Sequence, residues 1–175
     1  MSIDEIIKRL ERIERALANP EQLAQQPALD LAQAVADRVI EEGRSAEGDK
    51  FSAYSDVDLP AFFYFNRSAN QAGEGRVRQA AKERKSISYR DFRNYNNRPT
   101  DKKNFSFTQD MWRNFGVRSI VGAGGNLSIV LGAKSESARK KIAWNSQREG
   151  VSIIKPSAAE VERFAKSFAQ KILNV

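Results

Sequence analysis

Apolar side chains recur at helical spacing in the N-terminal part of the chain. They fall at every third or fourth position, which is the period of one helix face: Ile3, Ile6, Ile7, Leu10, Ile13 and Leu17. Ser2 is a suitable N-cap, and Asp4 and Glu5 fall in the first turn, where acidic residues interact favourably with the helix dipole. The pattern predicts an amphipathic helical arm over residues 1–18. Its apolar stripe packs either on its own domain or on a neighbouring subunit.

Two longer segments show the same period. One follows Pro20, is broken or begun near Pro27, and ends at Gly43, a typical C-terminal stop. The other lies at the C-terminal end of the sequence, where Ser157 and Glu160 form a capping box. The apolar face that follows it consists of Val161, Phe164, Ala165, Phe168, Ala169, Ile172 and Leu173. Both segments are predicted to be helices.

A β-hairpin is predicted between these helices. Residues 118–121 and 126–131 resemble two strands joined around a glycine-rich turn at 122–125. The glycines lack the patterns of nucleotide-binding loops, so a turn is preferred over a phosphate site. A helix over residues 135–148 and a short β-like run at 151–154 follow. These elements predict an α+β fold with a small antiparallel sheet or hairpin packed with helices, and we expect the C-terminal helix to pack on that sheet.

Aromatic residues concentrate before and after the middle of the chain. Residues 44–70 carry Phe51, Tyr54, Phe62, Phe63, Tyr64 and Phe65. A role in the core is preferred for them over a platform that stacks on bases. Further on, Phe105 and Phe107 alternate like a strand, and Thr108 is placed to cap a short helix around Trp112.

One segment carries the whole net charge of +7. Residues 76–103 contain ten cations and three anions, and the remainder of the chain is neutral. Apolar side chains are sparse there, whereas ordering the backbone costs about 1 to 2 kcal/mol per residue. We therefore expect residues 72–104 to be an extended basic insertion, ordered only against a partner, in a single domain over residues 19–175.

Nine cations of this segment are the candidate partner-binding residues: Arg76, Arg78, Arg84, Lys85, Arg90, Arg93, Arg98, Lys102 and Lys103. Arginine pairs with carboxylate and phosphate alike, so both an acidic protein surface and DNA fit them. A nucleic-acid-binding accessory protein that uses residues 76–103 is the alternative function, because interleaved aromatic side chains could stack on bases. Replacing Arg90, Arg93 and Arg98 is expected to block assembly and to leave the subunit folded.

The chain contains no cysteine and no histidine. Their absence excludes thiol nucleophiles, Cys-His zinc sites and histidine general bases. Asp56, Asp58 and Asp110 do not form the dense acidic cluster that holds catalytic magnesium. We predict a non-enzymatic protein with no catalytic residues, no cofactor and no metal. No segment is typical of a signal peptide or a transmembrane helix, which predicts synthesis in the cytoplasm and no membrane partner.

Four stretches, taken in order, resemble the virion morphogenesis or tail-completion family of long-tailed phages. Residues 48–55 are similar to its Gly-x-x-Phe-x-x-Tyr-Ser element, and residues 105–111 to its Leu-x-x-Thr-Gly-x-Met element ahead of a hairpin. Residues 138–150 resemble its helix that leads into an apolar strand, and residues 156–160 the opening of its C-terminal helix. Gln109 is a departure, because the family usually has glycine there.

Membership of that family implies a structural protein of the phage neck without enzymatic activity. The resemblance implies a homo-oligomeric ring, six-fold or twelve-fold, of the tail-completion or tail-terminator type. Its partners would be other copies of the chain and the head-connector and tail proteins of the same phage, with the DNA path close by. The protein is then expected in the virion, after synthesis in the host cytoplasm.

Overall fold

The structure, a computed structural model, describes residues 2–106, 109–123 and 126–174. It has the predicted α+β fold. The helices are α1 (Ile3–Leu17), α2 (Pro20–Asp37), α3 (Gln71–Lys82), α4 (Tyr89–Tyr95), α5 (Asp110–Arg113), α6 (Glu136–Glu149) and α7 (Ala158–Leu173). The strands are β1 (Leu59–Pro60), β2 (Ser86–Ile87), β3 (Phe115–Ala123) and β4 (Asn126–Ala133).

The predicted hairpin is confirmed, with longer strands than expected. β3 and β4 pair antiparallel from Phe115 opposite Ala133 to Ala123 opposite Asn126. The register shifts between Val117 and Ser119, so the pair contains a bulge. The glycines at 124 and 125, which were expected to form the turn, lie outside the described residues.

Lobe 1 is built around the hairpin and helices α2, α5, α6 and α7. Its core consists of Ala36, Val39, Phe51, Met111, Trp112, Ala133, Ala138, Ile142 and Ile153. α2 begins at Pro20 and runs through Pro27, so the expected break at Pro27 is wrong. Proline removes one helical hydrogen bond, but its ring is fully buried here and its packing offsets that loss. α2 continues as a π-helix, Arg38–Glu42, which ends at Gly43 with φ +66°, as predicted.

Lobe 2 comprises the elements from β1 to α4. The expectation of an extended insertion over residues 72–104 is wrong, because α3 and α4 lie within it and pack around a core of their own. This core consists of Ala61, Tyr64, Val77, Ala80, Ile87 and Phe92. Tyr64 stacks on Phe92 with ring centroids 4.7 Å apart. Four of these six residues belong to the basic segment itself, and Ala61 and Tyr64, which precede it, complete the core.

Three further predictions differ from the structure of lobe 1. α7 packs on α2, and α2 itself packs on β3, so α7 does not take the expected place on the hairpin. Residues 151–154 form a turn instead of a strand, although Ile153 is fully buried. Phe105 has φ +51° outside any strand. Phe107 and Thr108 lie outside the described residues, and α5 has Gln109 as its N-cap residue.

Tyr54 and Asn104 mark the points where the chain leaves lobe 1 and returns to it. The Tyr54 hydroxyl donates to Oδ1 of Asn104 over 3.1 Å, and the Asn104 backbone N–H donates to the same hydroxyl over 3.2 Å. Both residues are buried. Lobe 2 is thus enclosed between two chain positions that are in direct contact.

No helix in the described part of the chain is both long and apolar enough to cross a membrane.

Candidate functional site

The cations of residues 76–103 do not form one continuous surface. Arg76, Arg78, Arg84 and Lys85 are exposed on α3 and the turn after it. Arg76 and Lys85 line a shallow groove between α3 and α4. Arg98 is only partly exposed, and its Nε has no hydrogen-bond partner in the part of the chain that the structure describes.

Several of these cations already have carboxylate partners. Arg78 pairs with Glu74 over 2.9 Å, and Lys85 with Glu83 over 2.6 Å. Arg90 of α4 pairs with Asp56 over 3.1 Å. The surface of lobe 2 is therefore mixed in charge, which suits a specific protein contact better than a row of DNA phosphates.

Arg93 is buried, so its assignment as a partner-binding residue is wrong. Only 1% of its surface is exposed. Its guanidinium donates to the carbonyl oxygens of Pro99 and Ser106 over 2.9 and 3.2 Å and to Oδ1 of Asn104 over 3.3 Å. We therefore also revise the expectation that replacing Arg90, Arg93 and Arg98 leaves the subunit folded, and expect a loss of stability, because those acceptors would lose their donor.

The Tyr54 ring covers the Arg93 guanidinium at 4.1 Å. Burial raises the pKa of the Tyr54 hydroxyl, although the charge of Arg93 opposes this shift. The ring therefore stays neutral and offers Arg93 its π face instead of a countercharge. Arg93 thus ties the segment after α4 to Tyr54 at the junction of the two lobes.

Lys103 is also buried and has a structural role instead of the expected partner-binding one. Its Nζ lies 2.8 Å from Oε1 of Glu149 and 2.7 Å from Oγ of Ser52. Burial by itself would raise the pKa of Glu149, but hydrogen bonds from Lys103 and from Ser52 outweigh it and lower the pKa. Lys102 donates to the carbonyl oxygen of Glu41 and fastens the same segment to the π-helix.

A cleft of about 580 Å³ separates the two lobes. Its walls are mainly aromatic and cationic, with one carboxylate, Glu149, and they include Tyr54, Tyr64, Tyr89, Phe105, Trp144, Arg67, Arg93, Lys103 and Arg148. The Arg148 guanidinium lies 4.7 Å from the centre of the Trp144 ring, and 56% of the Trp144 surface is exposed. Neither Arg67 nor Arg148 has a carboxylate within ion-pair distance among the described residues.

Sequence reasoning missed Arg67, Arg148 and Trp144 as members of one site. They come from both lobes and lie outside residues 76–103, so no local charge excess marks them. One signal was available, because Trp144 falls on a strongly charged helix away from its buried positions Ala138 and Ile142. Single exposed apolar residues are common on protein surfaces, so this signal becomes informative only with the other aromatic walls of the cleft.

Two helices leave their apolar faces largely uncovered. α1 has Ser2 as its N-cap, as predicted, with Glu5 completing a capping box, and none of its residues is buried. Along α7 the one buried residue is Glu160, while Phe164 and Phe168 stack on each other and are half-buried. The exposed large apolar side chains of these helices are Ile3, Ile6, Ile7, Leu10, Leu17, Val161 and Leu173.

Among the described residues, no group of three or more acidic side chains is placed to hold a metal ion. Comparisons with protein-family models, with curated proteins and with solved structures gave no match.

Proposed function

We propose that this chain is a non-enzymatic structural protein of the phage neck, where copies of it assemble into a ring that joins the capsid connector to the tail. The observation that carries the proposal is the uncovered apolar stripe of α1. Monomeric proteins rarely leave contiguous apolar surface of this kind exposed, and larger patches mark interaction sites. The ordered series of motifs that resembles tail-completion proteins supports the same function.

Two features of the fold support this proposal further. Gln109 has φ +63°, a left-handed conformation that favours glycine, at the position where that family usually has glycine. The paired cations of lobe 2 form a mixed-charge surface suited to a specific protein contact, as a neck protein needs. The partners of the ring would then bind at lobe 2 and the cleft, whereas copies of the chain would bind one another through α1 and α7.

The purified chain is expected to be a multimer, with rings in negative-stain images and a mass that is a multiple of 19.7 kDa. Light scattering coupled to gel filtration gives that mass. Adding the protein to heads and tails from a phage that lacks it should join them. A chain that is monomeric at every concentration and does not promote joining would contradict the proposal.

The cleft favours one alternative function, the binding of single-stranded nucleic acid. Exposed Trp144 beside Arg67 and Arg148 offers the aromatic and cationic groups that stack on bases and neutralise phosphates. This function predicts that an oligonucleotide quenches the fluorescence of the wild-type chain, weakly at high salt, and much less that of Trp144→Phe. No quenching at low salt would exclude it.

A further inference from the structure

The apolar positions of α1 follow a heptad repeat. Ile3, Ile6, Leu10, Ile13 and Leu17 are separated alternately by three and four residues. This alternation places Ile3, Leu10 and Leu17 at the a positions and Ile6 and Ile13 at the d positions of a coiled coil. We call this row of a and d side chains the seam of α1. Such a row typically packs against other helices.

The rest of the chain does not cover this seam. Ile3 is 77% exposed and Leu10 is 60% exposed, and only Ile13 of the five is half-buried. α1 meets the domain at the end of α7, where Arg9 donates to the carbonyl oxygen of Leu173 over 3.0 Å, and at the start of α2. α1 therefore extends from the domain with its a and d side chains open to solvent.

The residues that flank the seam distinguish the possible directions of pairing. Arg9 is at a g position and Glu14 at an e position, and neither has an ion-pair partner among the described residues. In a parallel pair, the g residue of one helix faces the next e residue of the other, so Arg9 meets Glu14 of a second copy. In an antiparallel pair, g faces g and e faces e, which gives no opposite charges here.

From this pattern we infer that α1 packs in parallel against the α1 helices of other copies, in register, with Arg9 of each copy beside Glu14 of the next. Leucine at a and isoleucine at d favour bundles of more than two strands. Neighbours in a cyclic ring are related by rotation about one axis, so their helices point the same way along it. The inference rests on the proposed function, because a helix this short is marginal alone and needs a ring to hold its copies together.

The absence of cysteine from the natural chain allows a direct test. Ile3→Cys and Leu17→Cys are made singly in the full chain, and both sites are exposed, so the subunit fold should be unchanged by circular dichroism. Under mild oxidation each variant should form disulfide-linked dimers with itself, seen on non-reducing gels, because equivalent a positions face each other in a parallel pair. Lys8→Cys, on the opposite face, is the control and should stay monomeric.

Two other gel patterns would overturn the inference. An a residue faces a d residue in an antiparallel pair, so antiparallel packing would leave both variants unlinked to themselves and would instead link Ile3→Cys to Ile13→Cys, a d position, when the two are mixed. Equal crosslinking of Lys8→Cys, or none at any site, would place the seam outside the contact. Rings that persist without these crosslinks would refute the packing of α1 on α1 alone, whereas a monomeric wild-type chain would refute the proposed function.

Discussion

Replacing Arg93 with alanine should lower the free energy of unfolding by about 3 to 5 kcal/mol, because the substitution leaves a large cavity and removes the donor of two backbone carbonyl oxygens. The acceptors are the carbonyl oxygens of Pro99 and Ser106, and the Tyr54 ring loses the cation stacked on it. Urea denaturation followed by circular dichroism measures the loss. The junction of the two lobes should be the first region to gain hydrogen exchange.

Arg90→Ala is the matched control on the same helix. Arg90 pairs with the exposed carboxylate of Asp56, and exposed ion pairs contribute about 0 to 1 kcal/mol. Arg93→Lys tests the geometry, because an ammonium group cannot reach three separate acceptors as the planar guanidinium does. Equal stability of Arg93→Ala and Arg90→Ala would mean that the Arg93 contacts do not stabilise the fold.

Replacing Glu160 with alanine should cost about 3 to 5 kcal/mol, since it leaves a buried arginine without its countercharge. Arg38 Nε lies 2.8 Å from Oε1 of Glu160, and both side chains are buried between α2 and α7. Glu160 also accepts the backbone N–H of Ser157 over 2.6 Å, so the helix loses one of the two hydrogen bonds of its capping box as well. Glu162→Ala is the control, because its pair with Lys166 is exposed.

The same carboxylate should make stability depend on pH in the acid range. Burial alone would raise the pKa of Glu160, but hydrogen bonds from Arg38 and Ser157 outweigh it, so the pKa lies below the ordinary value of 4.5. A group whose pKa is lower in the folded state stabilises fully above its unfolded pKa and loses that contribution as pH falls through the folded pKa. The pKa of Glu149 is lowered as well, by hydrogen bonds from Lys103 and Ser52.

Urea midpoints measured from pH 6 down to about pH 3 would show this fall in stability. The curve of Glu160→Ala should be flatter than the wild-type curve, and the remaining slope should include the part due to Glu149. Parallel curves for the two proteins would show that Glu160 titrates alike in the folded and unfolded chains.

Local signals in the sequence predicted most of the secondary structure. The N-cap at Ser2, the capping box at Ser157 and the stop at Gly43 act within one helical turn, and the structure contains all three. The hairpin could be predicted equally well, because its two strands are adjacent in the sequence.

Lobe 2 was not predictable by the same reasoning. Its core joins Ala61 and Tyr64 to Val77, Ile87 and Phe92, so an estimate restricted to the basic segment counted only part of the apolar surface. The packing partner of α7 could not be predicted either. An amphipathic pattern shows which face of a helix is buried, but it does not show which other element covers that face.

The candidate site was also only partly predictable from the sequence. Arg90 and Arg93 lie on the same helix, yet one is paired at the surface and the other is enclosed. The two arginines differ because only Arg93 reaches Asn104 and Ser106, which belong to the segment that returns to lobe 1. Charge content identified the segment, but only the fold could separate its binding residues from its structural ones.

The contact between Tyr54 and Asn104 bears on how chains of this kind can diverge. The intervening residues form a closed excursion, and the entropy cost of closing a loop grows only slowly with its length. Insertions in the exposed turns between these two residues, such as the turn after α3, would leave the hairpin and its helices intact. Natural relatives are therefore expected to differ in length chiefly in lobe 2. Changes confined to that part of the gene could then alter which neighbouring proteins are bound while lobe 1 stays the same.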